Sequence, residues 1–110
     1  AETYFILWRL TGEEVWRDRA WKLALAIKTH LKTPNGGFGT IKSVDKVPTE
    51  FEPYAHQDPQ LISATFKYLY LTMVEDKSVL PLDKWVFNAA GHPLPICGQH
   101  PFYPKAACSK

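Results

Sequence analysis

The chain has 110 residues, 45% of them hydrophobic and 22% charged, and a net charge of +2. That length allows at most one small domain, and that balance excludes a disordered or low-complexity chain. Thirteen basic against eleven acidic residues, with the lysines unclustered, also argue against a nucleic-acid or anionic-membrane surface. No run nears the ~18 apolar residues that a membrane span requires. Aromatic residues make up 14%: four Trp, five Tyr and six Phe. A chain this short buries only ~60–65% of its unfolded surface, so part of that aromatic bulk is expected to face a partner. The sequence opens at Ala1 without a Met or a signal peptide, which predicts a processed, truncated or engineered chain.

Glu2–Leu10, E-T-Y-F-I-L-W-R-L, is apolar nearly all round and has no capping residue, so it reads as the back half of a buried helix. Thr11-Gly12-Glu13-Glu14 spells a capping box, with the Thr11 hydroxyl accepting from the Glu14 N–H and the Glu14 carboxylate reaching back. The helix that follows is predicted to run to about Lys32. Trp16, Ala20, Leu23, Ala24, Ile27 and Leu31 recur at i, i+4, i+7, i+8, i+11 and i+15, which is one face at the helical period. Lys28, His30 and Lys32 suit the negative end of its dipole, and Pro34-Asn35-Gly36-Gly37 stops it. Phe38–Val44 is short and β-prone, and Asp45–His56, with Pro48 and Pro53, reads as a loop. Asp58-Pro59 supplies an N-cap and a first-turn proline for a helix to about Val74, with Ile62, Phe66, Leu69 and Met73 on one side. Trp85–Asn88 reads as a strand that turns at Gly91, and an irregular tail with Cys97 and Cys108 follows Pro93 and Pro95.

The segment Trp85 to Ile96, W-V-F-N-A-A-G-H-P-L-P-I, resembles the C-terminal end of family 47 glycoside hydrolases. So do K-Y-L-Y-L at Lys67–Leu71, P-L-D-K-W at Pro81–Trp85 and the Gly36-Gly37-Phe38-Gly39 turn. These are the class I α-1,2-mannosidases that trim N-linked glycans. The resemblance covers Glu2 to Ile96 and implies a mainly α fold, the C-terminal portion of an (α/α)7 barrel. On this reading residues 1–96 are a partial barrel of three helices plus a short β-hairpin plug, and residues 97–110 are an irregular tail.

In the family the hairpin reads F-N-T-E-A-H-P, where the Thr binds calcium and the Glu lines the active site; here those positions are Ala89 and Ala90. The family's R-P-E-x-x-E-S-(x)5-R helix start is matched by Glu2, Thr3 and Arg9, so the resemblance makes Glu2 a retained active-site acid. For this chain alone a helix-terminal acid favoured by the dipole is the simpler reading of Glu2. The family's E-S-F-F-L-A-E-T-L-K-Y-L-Y aligns without a gap on Asp58–Tyr70. Its second Glu, an active-site acid, becomes Ala64, its paired Phe become Gln60 and Leu61, and its first Glu becomes Asp58. An inverting glycosidase needs two carboxyl groups ~6.5–9.5 Å apart. With Ala64 and Ala90 in place of acids, no catalytic residue is expected in this chain, and with Ala89 at the calcium position no metal is expected either. Glu2, Arg9 and His92 remain as candidate binding residues.

The leading expectation is a non-catalytic mannosidase-like module that binds or supports, through self-association or a second polypeptide completing the barrel. One alternative is the C-terminal chain of a calcium-dependent mannosidase. Another is a lectin-like protein stacking a high-mannose glycan on Trp8, Trp85, Tyr68 or Tyr70, residues for which core packing is the simpler expectation. The resemblance implies the secretory pathway or the extracellular space, where Cys97 and Cys108 would pair in a disulfide worth ~3 kcal/mol; unpaired thiols are the alternative. His92, Cys97, His100 and Cys108 match no common zinc spacing, and a buried His92 beside a disulfide is the simpler expectation. His30 and His56 read as surface residues.

Overall fold

Helix α1 spans Glu2–Thr11 and ends where Gly12, left-handed at φ 71°, returns its N–H to Trp8 O. The computed structural model describes residues 1–53 and 56–108. The predicted loop 45–56 and tail 97–110 each reach outside that set, at Tyr54, Ala55, Ser109 and Lys110. The capping box does not form. Because α1 continues to Thr11, that hydroxyl donates back to Leu7 O at 2.8 Å and accepts from the Glu13 N–H at 3.2 Å, and α2 begins with no side-chain cap.

Helix α2 runs Glu14–His30, two residues shorter than predicted, and Leu31 closes it by donating to Ile27 O at 3.0 Å. Its stripe is as expected: Ala20 and Ile27 are buried, and Trp16, Leu23, Ala24 and Leu31 are partly so. The β-prone 38–44 stretch forms no strand, only isolated bridges of Lys32 with Phe38 and of Ile41 with Phe51. Residues 50–52 do pair with it, Lys42 N–H donating to Glu50 O at 2.9 Å and Glu52 N–H to Thr40 O at 3.0 Å, but the pairing is too short to build a ladder.

The third helical segment starts at Asp58, whose Oδ1 accepts from the Gln60 N–H at 2.8 Å, as predicted for an N-cap. It is not uniformly α. Leu61–Phe66 is a π-helical turn that leads into α3, Lys67–Met73. The wider turn shifts the phase of the apolar stripe, so Ile62 points out at 58% exposure while Tyr68, Leu69, Leu71 and Thr72 are buried. Strands β1 (Trp85–Phe87) and β2 (Pro93–Pro95) pair antiparallel, with Val86 opposite Leu94. Asn88 N–H donates to His92 O and Ile96 N–H to Lys84 O. In this register Pro93 and Pro95 fall at the intervening positions, where an N–H would point away from the partner strand, so the prolines cost no cross-strand bond.

Two small cores result. Phe5, Tyr68 and Leu71 form one, joined by Ala64, Leu80, Leu82 and Phe87; Ala20, Ile27 and Leu69 form the other with residues from all three helices. The chain is therefore mainly helical, three helices with a short antiparallel hairpin, as the sequence implied. It is also open. Its radius of gyration is 17.1 Å, against about 13 Å for a compact chain of this length. On α1 only Phe5 and Trp8 are buried, and Leu10 is 71% exposed.

Candidate functional site

Phe87 positions the hairpin. Its ring meets Phe5 at 5.7 Å and Tyr68 at 5.4 Å, both edge-on, and Phe5 and Tyr68 lie 5.5 Å apart. Edge-to-face geometry adds about 0.5–1.5 kcal/mol per pair beyond burial, so this trio fixes where β1 ends. The tip that follows, residues 88–92, is then held by Asn88. Its Oδ1 accepts from the N–H groups of Ala90 at 3.0 Å and His92 at 2.9 Å, and its carbonyl accepts from Gly91 at 2.8 Å.

The tip lies against the π-helical turn. Gly91 is buried with φ at 74°, and a Cβ there would stand 2.7 Å from Ser63 O and 2.8 Å from Ala64 Cα. Lys67, one turn along, donates from Nζ to Gly91 O at 2.6 Å. The structure thus brings together Ala64 and the Ala89–Ala90 tip, which are far apart in sequence. Neither the π turn nor the Lys67 contact was foreseen. Ile62 fits the helical stripe in sequence and so gives no sign of the first, and a lone lysine in an apolar run is the one trace of the second.

Glu2 sits at the rim of the same region. Tyr68 donates its hydroxyl to Glu2 Oε1 at 3.4 Å, and burial pushes the Tyr68 hydroxyl up to about 12, with the Glu2 charge adding to the effect. Glu2 also lines a groove of about 230 Å³ with Ile6, Leu82, Trp85, Val86 and Phe87. Arg9 does something else. Its guanidinium donates to Lys77 O at 2.6 Å, Val79 O at 2.9 Å and Leu71 O at 3.5 Å, and packs over Phe5. That pins the connection between α3 and the hairpin and leaves Arg9 away from the tip. His92 is exposed rather than buried: its backbone is tied to Asn88, so the ring at the edge of the tip is carried outward.

At the tip, Ala89 is exposed and Ala90 half-buried, and both present methyl groups. Asn88 Oδ1 is the tip's one side-chain oxygen, and it is engaged by two backbone N–H groups. A calcium ion takes ~6–8 oxygen ligands, and the side chains present do not fit one. Among the described residues no three His, Cys, Asp or Glu side chains converge as a metal set. Cys97 and Cys108 form a disulfide with their Cα atoms 5.9 Å apart, which accounts for both sulfurs of the zinc alternative. Of the aromatic residues considered for sugar stacking, Trp8 and Tyr68 are buried, Trp85 is half-buried against His100, and Tyr70 is exposed.

Comparison with known proteins gives this geometry a lineage. The family model described as glycosyl hydrolase family 47 matches residues 1–96. The chain is 42% identical, over 96% of its length, to mannosyl-oligosaccharide alpha-1,2-mannosidase IA of Drosophila melanogaster. It is 43% identical, over 86% of its length, to mannosyl-oligosaccharide 1,2-alpha-mannosidase IB of Homo sapiens. It is 35% identical, over 86%, to the human endoplasmic reticulum mannosyl-oligosaccharide 1,2-alpha-mannosidase. It spans only 15%, 14% and 13% of those three relatives. No described helix is long and apolar enough to cross a membrane. With its hairpin, helices and turn all matched across residues 1–96, the chain belongs to glycosyl hydrolase family 47.

Proposed function

We propose that this chain is a non-catalytic mannosidase-like module that acts by binding or structural support together with a further polypeptide. The observation that carries this reading is the hairpin tip. Gly91 lies against Ala64, and the neighbouring Ala89 and Ala90 carry methyl groups, so residues 64, 89 and 90 offer neither an acid nor a side-chain ligand oxygen. Glu2 is the one carboxylate at this site, so acid and base cannot both be supplied from it. Losing one positioned acid–base group costs ~10²–10⁴-fold in rate. The open shape, with apolar side chains outward on α1, α2 and α3, supports a covering partner, whether a second copy or a chain completing a barrel. A relative whose name places it in the endoplasmic reticulum, together with the Cys97–Cys108 disulfide, supports the secretory pathway.

A second reading has its own support. At 42% identity to a full-length mannosidase of which it spans 15%, the chain would be the C-terminal piece of an α-1,2-mannosidase whose remainder brings the acids. One assay separates the two. The chain, alone and mixed with a family catalytic region lacking its own C-terminal part, is incubated with a high-mannose glycan and calcium. The non-catalytic reading expects no mannose in either case. Calcium-dependent release by the mixture favours the second reading, and release by the chain alone overturns the first. Glycan binding without release would place the chain with the lectin-like proteins.

A further inference from the structure

The contact at Gly91 carries more than the absence of acids. A side chain on residue 91 is barred twice, by the left-handed φ of 74° and by the backbone of Ser63 and Ala64 within 2.8 Å of where Cβ would lie. The obstructing atoms Ser63 O and Ala64 Cα are main chain, which cannot swing aside as a long side chain would. Ala64 also packs against the Phe5–Tyr68–Leu71 cluster, as Phe87 does. Residue 64, itself half-buried, therefore has the hairpin backbone against it and an apolar core beside it. A longer side chain directed at the hairpin must displace its backbone, and a carboxylate there would compete with Gly91 O for the Lys67 ammonium three residues along.

We propose that Ala64 and Gly91 are an interlocked pair, fastened by Lys67, through which the chain's own hairpin backbone fills the space beside residue 64 and closes it to any sugar. The two small residues depend on each other. Ala64 leaves the volume into which the tip descends, and Gly91 lets the backbone come close enough to occupy it. Lys67 then holds the tip down through the 2.6 Å bond to Gly91 O, with no carboxylate within ion-pair distance of it among the described residues. The π-helical turn supplies the seat, since a wider turn places its backbone outward against the tip. This inference rests on the non-catalytic reading but can fail separately from it. It also explains why restoring an acid at residue 64 alone would not reopen the site: the acid and the seated hairpin compete for one volume.

The test uses the whole chain and four variants: Ala64→Glu, Gly91→Ala, the double substitution and Lys67→Met. Two readouts report seating, which are the labelling rate of Lys67 by an amine-reactive reagent and amide hydrogen exchange at residues 90 and 92. In the wild-type chain Lys67 should label several-fold more slowly than the exposed Lys22 and Lys28. In Ala64→Glu and Gly91→Ala the tip should lift, with Lys67 labelling and exchange at residues 90 and 92 both rising several-fold while α2 amides hold. Lys67→Met should speed the same exchange. The double variant should melt no lower than the worse single variant, because a tip already lifted has nothing further to lose. Wild-type Lys67 labelling as fast as Lys22, unchanged exchange in Ala64→Glu, or additive melting shifts would each overturn the interlock. Should Ala64→Glu not fold, wild-type labelling and Lys67→Met still decide. Mannose release by the wild-type chain would instead sink the non-catalytic reading.

Discussion

The hairpin tip and the outer face of α2 belong to the same small chain but are packed by opposite rules. At the tip, backbone meets backbone: Gly91 lies on Ser63 and Ala64, with Asn88 and Lys67 satisfying the polar groups. On α2, Trp21 and Leu25 stand 55% and 43% exposed with no element over them. The tip needs nothing further to be complete, whereas the α2 face does. The proposed non-catalytic, partner-bound reading expects this pattern, a packed tip and an unfinished exterior.

The contrast breaks most readily at Phe5, which is fully buried and touches both Tyr68 and Phe87. Phe5→Ala should cost about 3–5 kcal/mol, a large share of a small domain's stability. It should unseat β1 and speed exchange at the tip. A melting shift no larger than that of a surface substitution would show that the aromatic trio does not hold the hairpin.

Arg9→Met sharpens the same side by a smaller amount. It keeps much of the apolar stem over Phe5 but leaves the carbonyls of Lys77 and Val79 without their donor. The expected loss is about 1–3 kcal/mol, read as a fall in melting temperature. An unchanged melting temperature together with weakened glycan binding would return Arg9 to a binding role.

Tyr68 gives the comparison a pH axis. Its folded pKa is raised from 10.0 to about 12, chiefly by burial and then by Glu2. Below about pH 10 both folded and unfolded states hold the proton, and the full contribution is present. Between about 10 and 12 the unfolded chain ionises first, so stability should fall as pH rises through that window. Tyr68→Phe should flatten the fall. A wild-type profile that stays level from pH 9 to 11 would contradict the burial of this hydroxyl.

How much of this was legible in the sequence differs by region for a physical reason. The α2 stripe was readable because seventeen residues at one period average out local noise, and Asp58-Pro59 because capping needs only neighbours. The hairpin was readable because Trp85–Ile96 matches a family. What escaped notice depended on distant partners. Thr11 spells a cap in isolation but is taken into α1 once Gly12 supplies the stop. Ile62 fits a 3.6-residue stripe until the π turn adds phase. Ala64, Lys67 and Gly91 are ordinary residues until the fold sets them in contact, and no spacing rule connects positions 24 apart, as Lys67 and Gly91 are.

The smallest expected effect on the fold is at Trp21, and it tests the other side of the comparison. A substitution at an exposed helical site away from caps and networks changes stability by about 0.5 kcal/mol or less, so Trp21→Ser should leave the melting temperature of the isolated chain nearly unchanged. Its effect should appear in association. Large exposed aromatics are the residues that carry most of an interface's energy, often 2 kcal/mol or more each when truncated. Trp21 lies one helical turn from Leu25, which lets the two act as a single patch. Sedimentation of the wild-type chain at micromolar concentration should show species larger than a monomer, or capture by an added partner chain. Trp21→Ser should move that equilibrium toward monomer by about 30-fold, the equivalent of 2 kcal/mol. Buried Nε1 donors on Trp8 and Trp16 that lack acceptors among the described residues point the same way, to packing that other atoms complete. A wild-type chain that sediments as a compact, cooperatively melting monomer would remove the need for a partner, and the α2 face would then be ordinary surface.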